Sequence, residues 1–352
     1  MSARAHRIGV IPGDGIGPEV VAEGLAVLAA ISGPAGFRYE LTSYPLGAEH
    51  YLATGEVLPP ATLDELRGLD AIYFGAAGDP RVPPRVLELG LLHGIVQALD
   101  LYVNARPARL HAARLCPLKD RTPADLDLVM VRETTEDCFG PGRVIRRGGP
   151  DEIALGEIVF SRPGQARGMR YAFDLARRRR RRVTLVHQAN AIGAHDLLVR
   201  VFGEVAGEFP DVETDEMAPD AAAMWMVRSP DAFDVVYTTN FVGGILSDLA
   251  AVLSGGLGLS PSARLHPGRV SLFEPTHGSA PRYAGLGVAS PLGAIGAIGL
   301  MLDHLGEGEA AARIEAAMAG LLRDGRVRSA DARSGQGTRE VGALVAAAVA
   351  SG

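Results

Sequence analysis

A chain of 352 residues with 47% hydrophobic and 22% charged residues is long enough to bury a large core, and its composition is that of a soluble globular protein of two domains. A formal net charge of −6 argues against nucleic acid or a membrane surface as partner of the whole protein, and no apolar stretch reaches the roughly 20 residues a membrane helix needs. Cys116 and Cys138 are too few for a disulfide framework and no apolar leader precedes the first strand, so the expected setting is a reducing cytoplasm.

In chain order, RIGVI at 7–11 reads as a strand and PEVVAEGLAVLAAI at 18–31 as a helix. DAIYFG at 70–75 predicts a second strand, followed by a long helical stretch ending near Asp100. DLDLVMV, RVTLVH and FDVVYT are further apolar, β-rich runs, each with a helix after it. This alternation predicts an α/β fold with a mainly parallel sheet. One segment breaks the pattern: Gly140 to Arg162 has glycine turns and alternating residues, and reads as antiparallel hairpin material forming an arm. The basic run Arg177 to Arg182 lies between a helical pattern and a strand and reads as a solvated helix C-terminus, where cations suit the helix dipole. Lys119 is the only lysine in the chain.

Two glycine-rich turns and one helix carry the chemistry. PGDGIGPE at 12–19 spaces its glycines as G-x-G-x-G, which is not the dinucleotide fingerprint G-x-G-x-x-G; taken alone it is a strand-to-helix turn with a weak claim to nucleotide contact. HGSAPRYAG at 277–285 combines a small-residue loop with the cation Arg282, a pattern suited to phosphate. NFVGGILSD at 240–248 follows a strand, opens a helix and leaves one carboxylate, Asp248, near the turn.

PGDGIGPEV, YVNARP, VRETTED, VHQAN, DAAAMWMVRSP, NFVGGILSDLA, FEPTHGSAP and Gly337–Thr338 occur in that order over nearly the whole chain. In this ordered set the sequence resembles the isocitrate/isopropylmalate dehydrogenase family of β-decarboxylating dehydrogenases. The resemblance implies a two-domain α/β fold without a Rossmann motif. The larger, cofactor-binding domain would be built from 1–110 plus 262–352. The smaller would span 111–261 and carry a β-hairpin dimerisation arm at about 140–162. It also implies a homodimer with shared sites, a hetero-oligomer being the variant form, and a small carboxylic acid as substrate. Such enzymes oxidise a malate-type hydroxyl with a nicotinamide, lose the β-carboxylate and reprotonate the enol, using a divalent cation, arginine clamps, a lysine and a tyrosine.

Position by position, the resemblance assigns Arg106 and Arg132 to carboxylate binding and Asp220 and Asp248 to Mg²⁺ or Mn²⁺. It assigns Glu88 and Asn190 to the nicotinamide end of the cofactor, and His277, Gly278, Ser279, Ala280, Arg282, Tyr283 and Ser290 to the remainder. Several family groups are replaced. Phe139 stands where the tyrosine is expected and Gln188 where the lysine is; Gly244 replaces a third metal aspartate, which weakens the metal site. Ile95 or Val96 occupies the place of a first substrate arginine. Lys119 is remote in sequence, while His187, His93 and Cys138 are the nearby residues able to titrate. Arg282-Tyr283, a cation with no acid beside it, favours NADP over NAD. The expectation is therefore an NAD(P)-dependent 2-hydroxy-acid oxidoreductase of altered chemistry, placed in specialised metabolism, with decarboxylation in doubt. The rival is a catalytically impaired paralogue acting as regulatory subunit or ligand-binding dimer.

Overall fold

A computed structural model describes residues 5–139, 150, 152–154 and 156–351. The strands among them are β1 (His6–Gly13), β2 (Tyr39–Ser43), β3 (Ala71–Ala76), β4 (Val103–Arg109), β5 (Asp127–Glu133), β6 (Arg182–Val186), β7 (Glu213–Met217), β8 (Val235–Thr238), β9 (Pro261–Leu265) and β10 (Ser271–Pro275). The helices are α1 (Gly17–Ala35), α2 (Ala48–Thr54), α3 (Pro60–Arg67), α4 (His93–Ala98), α5 (Arg162–Arg177), α6 (Asp196–Ala206), α7 (Pro219–Arg228), α8 (Asn240–Ser254), α9 (Leu292–His304), α10 (Gly308–Arg323) and α11 (Thr338–Ser351).

The chain divides into two compact units, one of Met1–Leu101, Leu110–Pro123 and Ala251–Gly352, the other of Tyr102–Arg109 and Ala124–Ala250. These bounds differ from the expected 1–110 plus 262–352 and 111–261. Strand β4 falls in the second unit because it pairs with β5 along its whole length, from Val103 opposite Glu133 to Arg109 opposite Asp127. The expected arm at about 140–162 lies largely outside the described residues, and the described residues between 150 and 161 contain no strand.

In the first unit the strands run β2-β1-β3-β10-β9, parallel except where β9 meets β10. Helix α1 buries Val20, Val21, Gly24, Val27, Leu28 and Ile31, spaced by three and four residues, so one stripe faces inward. This helix is in fact long and apolar enough to cross a membrane by composition, contrary to the expectation that no segment is; here it packs on α9 and α11. The segment expected as one long helix up to Asp100 is broken: a π turn over Glu88–Leu92 precedes the short α4. Ile95 and Val96 on α4 are fully buried with Ile72, Phe74 and Leu272, so neither projects into a site.

In the second unit the order is β4-β5-β8-β6-β7, parallel except for β4 against β5. Helix α5 is capped by the Ser161 hydroxyl, which accepts from Gly164 N, and it buries Met169, Ala172, Phe173 and Ala176. The arginine run that follows is not a freely solvated helix end. Arg177 binds Asp211 at 2.6 Å and lies over the Phe209 ring. Arg179 binds the buried Asp234 at 2.8 Å and Asp127 at 2.9 Å.

Candidate active site

In the second unit, pairing and pleat together place two arginines on one sheet face. Asn104 lies directly opposite Arg132 across the β4–β5 pair, and Arg106 follows two residues later, so all three side chains point to the same side. Both guanidinium groups are held in place. Arg132 is 7% exposed, donating from Nε to Asn104 Oδ1 at 2.9 Å and from Nη1 to the Asn240 carbonyl at 3.0 Å. Arg106 donates from Nη1 to Ser247 Oγ at 2.9 Å and lies 3.4 Å from Asp248 Oδ1. A small acid meeting this face finds fixed donors with rigid, planar geometry, which is what carboxylate recognition requires. Asn104 and Ser247, which orient the arginines, carried no motif signal beyond adjacency.

The groups expected to move protons are replaced as the sequence indicates. Phe139, 42% exposed, has its ring 6.4 Å from that of Phe241. Gln188 donates its side-chain amide to Asn190 Oδ1 at 2.8 Å, and its backbone N–H is accepted by His195 Nδ1. Both ring nitrogens of His187 are engaged: Nδ1 accepts from Ala189 N and Nε2 lies 3.2 Å from Glu216 Oε2. Lys119 sits in an exposed turn of the first unit. Burial and the neighbouring Asp137 push the Cys138 thiol up, so it is no thiolate at neutral pH.

Next to Arg132, Glu133 is 1% exposed and accepts from Thr135 N and Glu136 N. Burial raises its carboxyl to about 7 against the hydrogen bond from Thr135 and the Arg167 charge 3.6 Å away. Asp137, in a left-handed conformation with φ 78°, accepts from Phe241 N at 2.8 Å and ties this loop to the start of α8.

In the first unit the PGDGIG turn acts as scaffold. Gly13 and Gly15 have φ of 68° and 59°, and a Cβ on them would sit 1.8 Å from Ala76 O and 2.0 Å from Ser279 O. Within the turn, Asp14 N donates to Ala76 O, Ile16 N to Ser279 O and Gly17 N to Asp14 O. The buried Asp14 carboxylate accepts from Ala48 N at 2.7 Å and Gly78 N at 2.9 Å. The turn therefore braces the loop after β10. That loop is pinned further along by Glu19, which accepts from Gly285 N and Gly287 N, and by Thr338, whose hydroxyl donates to Ala289 O. Glu88 stands near Ser279, since both crowd the space above Gly78.

His277, Ala280, Tyr283 and Ser290 line one cavity of about 350 Å³ together with Ile16 and the segment Ala330–Arg333. Gly278 and Arg282 adjoin these residues in sequence and are exposed. His277 Nδ1 is bonded to the Gly278 carbonyl, while its buried Nε2 has no partner among the described residues. A leftover acceptor nitrogen on a ring that lines this cavity matches the exocyclic amine of an adenine, so the residues present suit the adenosine end of a dinucleotide. The cation donors are sparser. Asp248 is the one carboxylate on its helix face: Gly244, one turn earlier, offers none, and its Cβ position points at Arg132 Nη1, 3.0 Å away. Asp220 is exposed on the first turn of α7 and accepts from Ala221 N. No group of three His, Cys, Asp or Glu side chains gathers among the described residues. Such a set suits Mg²⁺ only where a bound acid supplies the other oxygens.

Comparison with known proteins accounts for this arrangement. Residues 7–345 match the family model for isocitrate/isopropylmalate dehydrogenase. The chain is 47% identical to a 3-isopropylmalate dehydrogenase of Thermobifida fusca, with 99% of each chain covered, and 48% identical to one of Frankia casuarinae, covering 98% and 99%. Among solved structures, an isocitrate dehydrogenase from Methylococcus capsulatus superposes with a TM-score of 0.88 at 38% identity, covering 98% of this chain and 99% of that one. A β-decarboxylating dehydrogenase from Thermococcus kodakarensis gives 0.80 at 32% identity, covering 98% and 96%. The paired arginines, the glycine scaffold and the late Gly-Thr turn thus sit in a fold shared end to end, and the chain belongs to the isocitrate/isopropylmalate dehydrogenase family of oxidoreductases.

Proposed function

We propose that this protein is an NADP-dependent oxidoreductase of a malate-type 2-hydroxy acid in which hydride transfer is retained and fast β-decarboxylation is lost. The observation that carries the reading is the contrast within the second unit: Arg106 and Arg132 are fixed and charged, whereas Gln188 is an amide bound to Asn190 and Phe139 is a bare ring. The arginines grip the acid's carboxylates. The nicotinamide, when bound, supplies the hydride acceptor. Asp248 and Asp220 would each lend one carboxylate to Mg²⁺ or Mn²⁺, the remaining oxygens coming from substrate and water. An amide cannot accept the hydroxyl proton, so that proton passes to water. The NADP preference is supported by Arg282, a cation on the loop beside the adenosine cavity. Exposed apolar side chains on α8 (Phe241, Ile245) and α7 (Met224, Trp225) support a second copy of the chain as partner.

The test is turnover of isopropylmalate, isocitrate and other 2-hydroxy acids by the wild type and by the double variant Gln188→Lys, Phe139→Tyr. The variant is expected to gain about 10²-fold or more in decarboxylation, the usual contribution of a positioned acid–base group. Wild-type turnover equal to that of the variant would sink the reading. A second reading, a ligand-binding or regulatory paralogue, is favoured by the Gln188–Asn190 amide pair. It predicts a thermal shift with NADP but no oxidation of any acid by either protein.

A further inference from the structure

A second cavity, of about 840 Å³, opens in the first unit at the opposite end of the strands from the dinucleotide loops. His6, Asp70 and Val270 line it, and they stand at or just before the first residues of β1, β3 and β10. The PGDGIG turn and the HGSAPRYAG loop leave the far ends of β1 and β10. Strand β1 is 8 residues long, so roughly 25 Å of extended backbone separates the two ends. Ligands of open α/β sheets gather at the carboxyl ends of the strands, and a cavity at the amino ends is therefore a separate place.

Three arginines line this cavity, Arg7, Arg67 and Arg269. Arg7 Nη2 stays 3.7 Å from Asp70 Oδ1, because the Arg7 backbone N–H already donates to Oδ2 of that acid at 2.7 Å. Arg67 lies 3.7 Å from Asp64 in an exposed pair. Arg269 is exposed, and its guanidinium pairs with no acid among the described residues. Arginines elsewhere on the surface are held closer: Arg170 and Arg177 each lie 2.6 Å from an acid. Pairs as loose and exposed as those of Arg7 and Arg67 contribute little to stability, so both guanidinium groups can turn to another anion at small cost. The second acid of the lining, Asp100, faces His266 at 3.5 Å. Three guanidinium charges against two carboxylates leave the lining positive on a chain whose net charge is −6.

Helices α3, α4 and α9 end at the cavity, at Arg67, Ala98 and His304, and helix ends bring main-chain carbonyl acceptors to its rim. Leu69, Leu99 and Leu305 supply apolar wall. A ligand that uses all three features offers an anion to the arginines, N–H donors to the carbonyls and a flat body to the leucines. We infer that this cavity is a binding site for a phosphomonoester of mononucleotide size, its phosphate taken by Arg7, Arg67 and Arg269 and its base by the leucines and helix ends. The volume lies within the range of about 300–1,000 Å³ usual for small-molecule sites, and guanidinium forks match phosphate oxygens in pairs.

The experiment is calorimetric titration of the full chain with UMP, uridine and inorganic phosphate, in the presence of saturating NADP so that the adenosine cavity is filled. The wild type is expected to bind UMP about tenfold or more tighter than uridine or phosphate, each of which lacks one half of the contacts. The double variant Arg7→Ala, Arg269→Ala should weaken UMP by about tenfold or more, the loss of charged hydrogen bonds, with its urea midpoint and NADP binding close to wild type. No heat from UMP, or equal UMP affinity in wild type and variant, would overturn the site. Phosphate bound as tightly as UMP, and lost in the variant, would overturn the nucleotide assignment and leave a simple anion site.

Discussion

Glu133 offers a test of the second unit that needs no substrate. Its carboxylate is buried at the end of β5, next to Arg132, and burial outweighs the Thr135 hydrogen bond and the Arg167 charge to raise it from 4.5 to about 7. The unfolded chain releases this proton near 4.5 and the folded chain near 7. Stability is therefore fully present below the lower value and falls as pH rises through the upper one. At 1.36 kcal/mol per pH unit the cost accumulated across that window is about 3 kcal/mol. Glu133→Gln removes the titration while keeping an oxygen to accept from Thr135 N and Glu136 N. Urea unfolding of both proteins near pH 4.5 and near pH 8 should show the wild type losing about 3 kcal/mol relative to the variant. Parallel pH profiles would refute the reasoning, because they would mean that Arg167 and the backbone donors hold the carboxylate ionised throughout.

Two further outcomes follow from buried charge. Arg179→Ala removes the nearer of the two guanidinium groups beside Asp234, which is 1% exposed, leaving Arg180 at 3.9 Å and its backbone N–H at 2.9 Å; it should cost about 2–3 kcal/mol, the loss of a hydrogen bond to a charged group, read as a lowered urea midpoint. Asp14→Asn keeps one acceptor of the two that bind Ala48 N and Gly78 N, and should cost about 1–2 kcal/mol. The loop after β10 is held through Ile16, so the same change should weaken dinucleotide binding in a titration.

The buried parallel strands were legible because hydrophobicity marks them: β3 and β8 are buried throughout and read as continuous apolar runs. Strands β2 (YELTS) and β7 (ETDEM) end their respective strand orders, are mostly exposed and carry no such run, so nothing in their composition announced them. Arg106, Arg132 and Asp248 were found because they sit inside ordered motifs. Asn104 and Ser247 were not singled out, since what makes them matter is strand register and helix phase. The segment Ala330–Arg333 lay hidden for a related reason: a polar turn at 329–336 reads as ordinary loop until the chain folds it against Tyr283. The charge run misled in the opposite direction, because pairing with Asp127, Asp211 and Asp234 depends on residues about 30 to 55 positions away.

The π turn at Glu88–Leu92 has a bearing on how this family varies. A π turn holds one residue more than an α-helical turn, and each residue advances a helix by about 100°. Deleting a single residue there would rotate everything on α4 by that amount, bringing Ile95 and Val96 out of the core and carrying other side chains in. Which residues the helix shows to its surroundings is thus a matter of chain length as well as of chemistry, and an indel of one can redraw a binding surface without a single substitution.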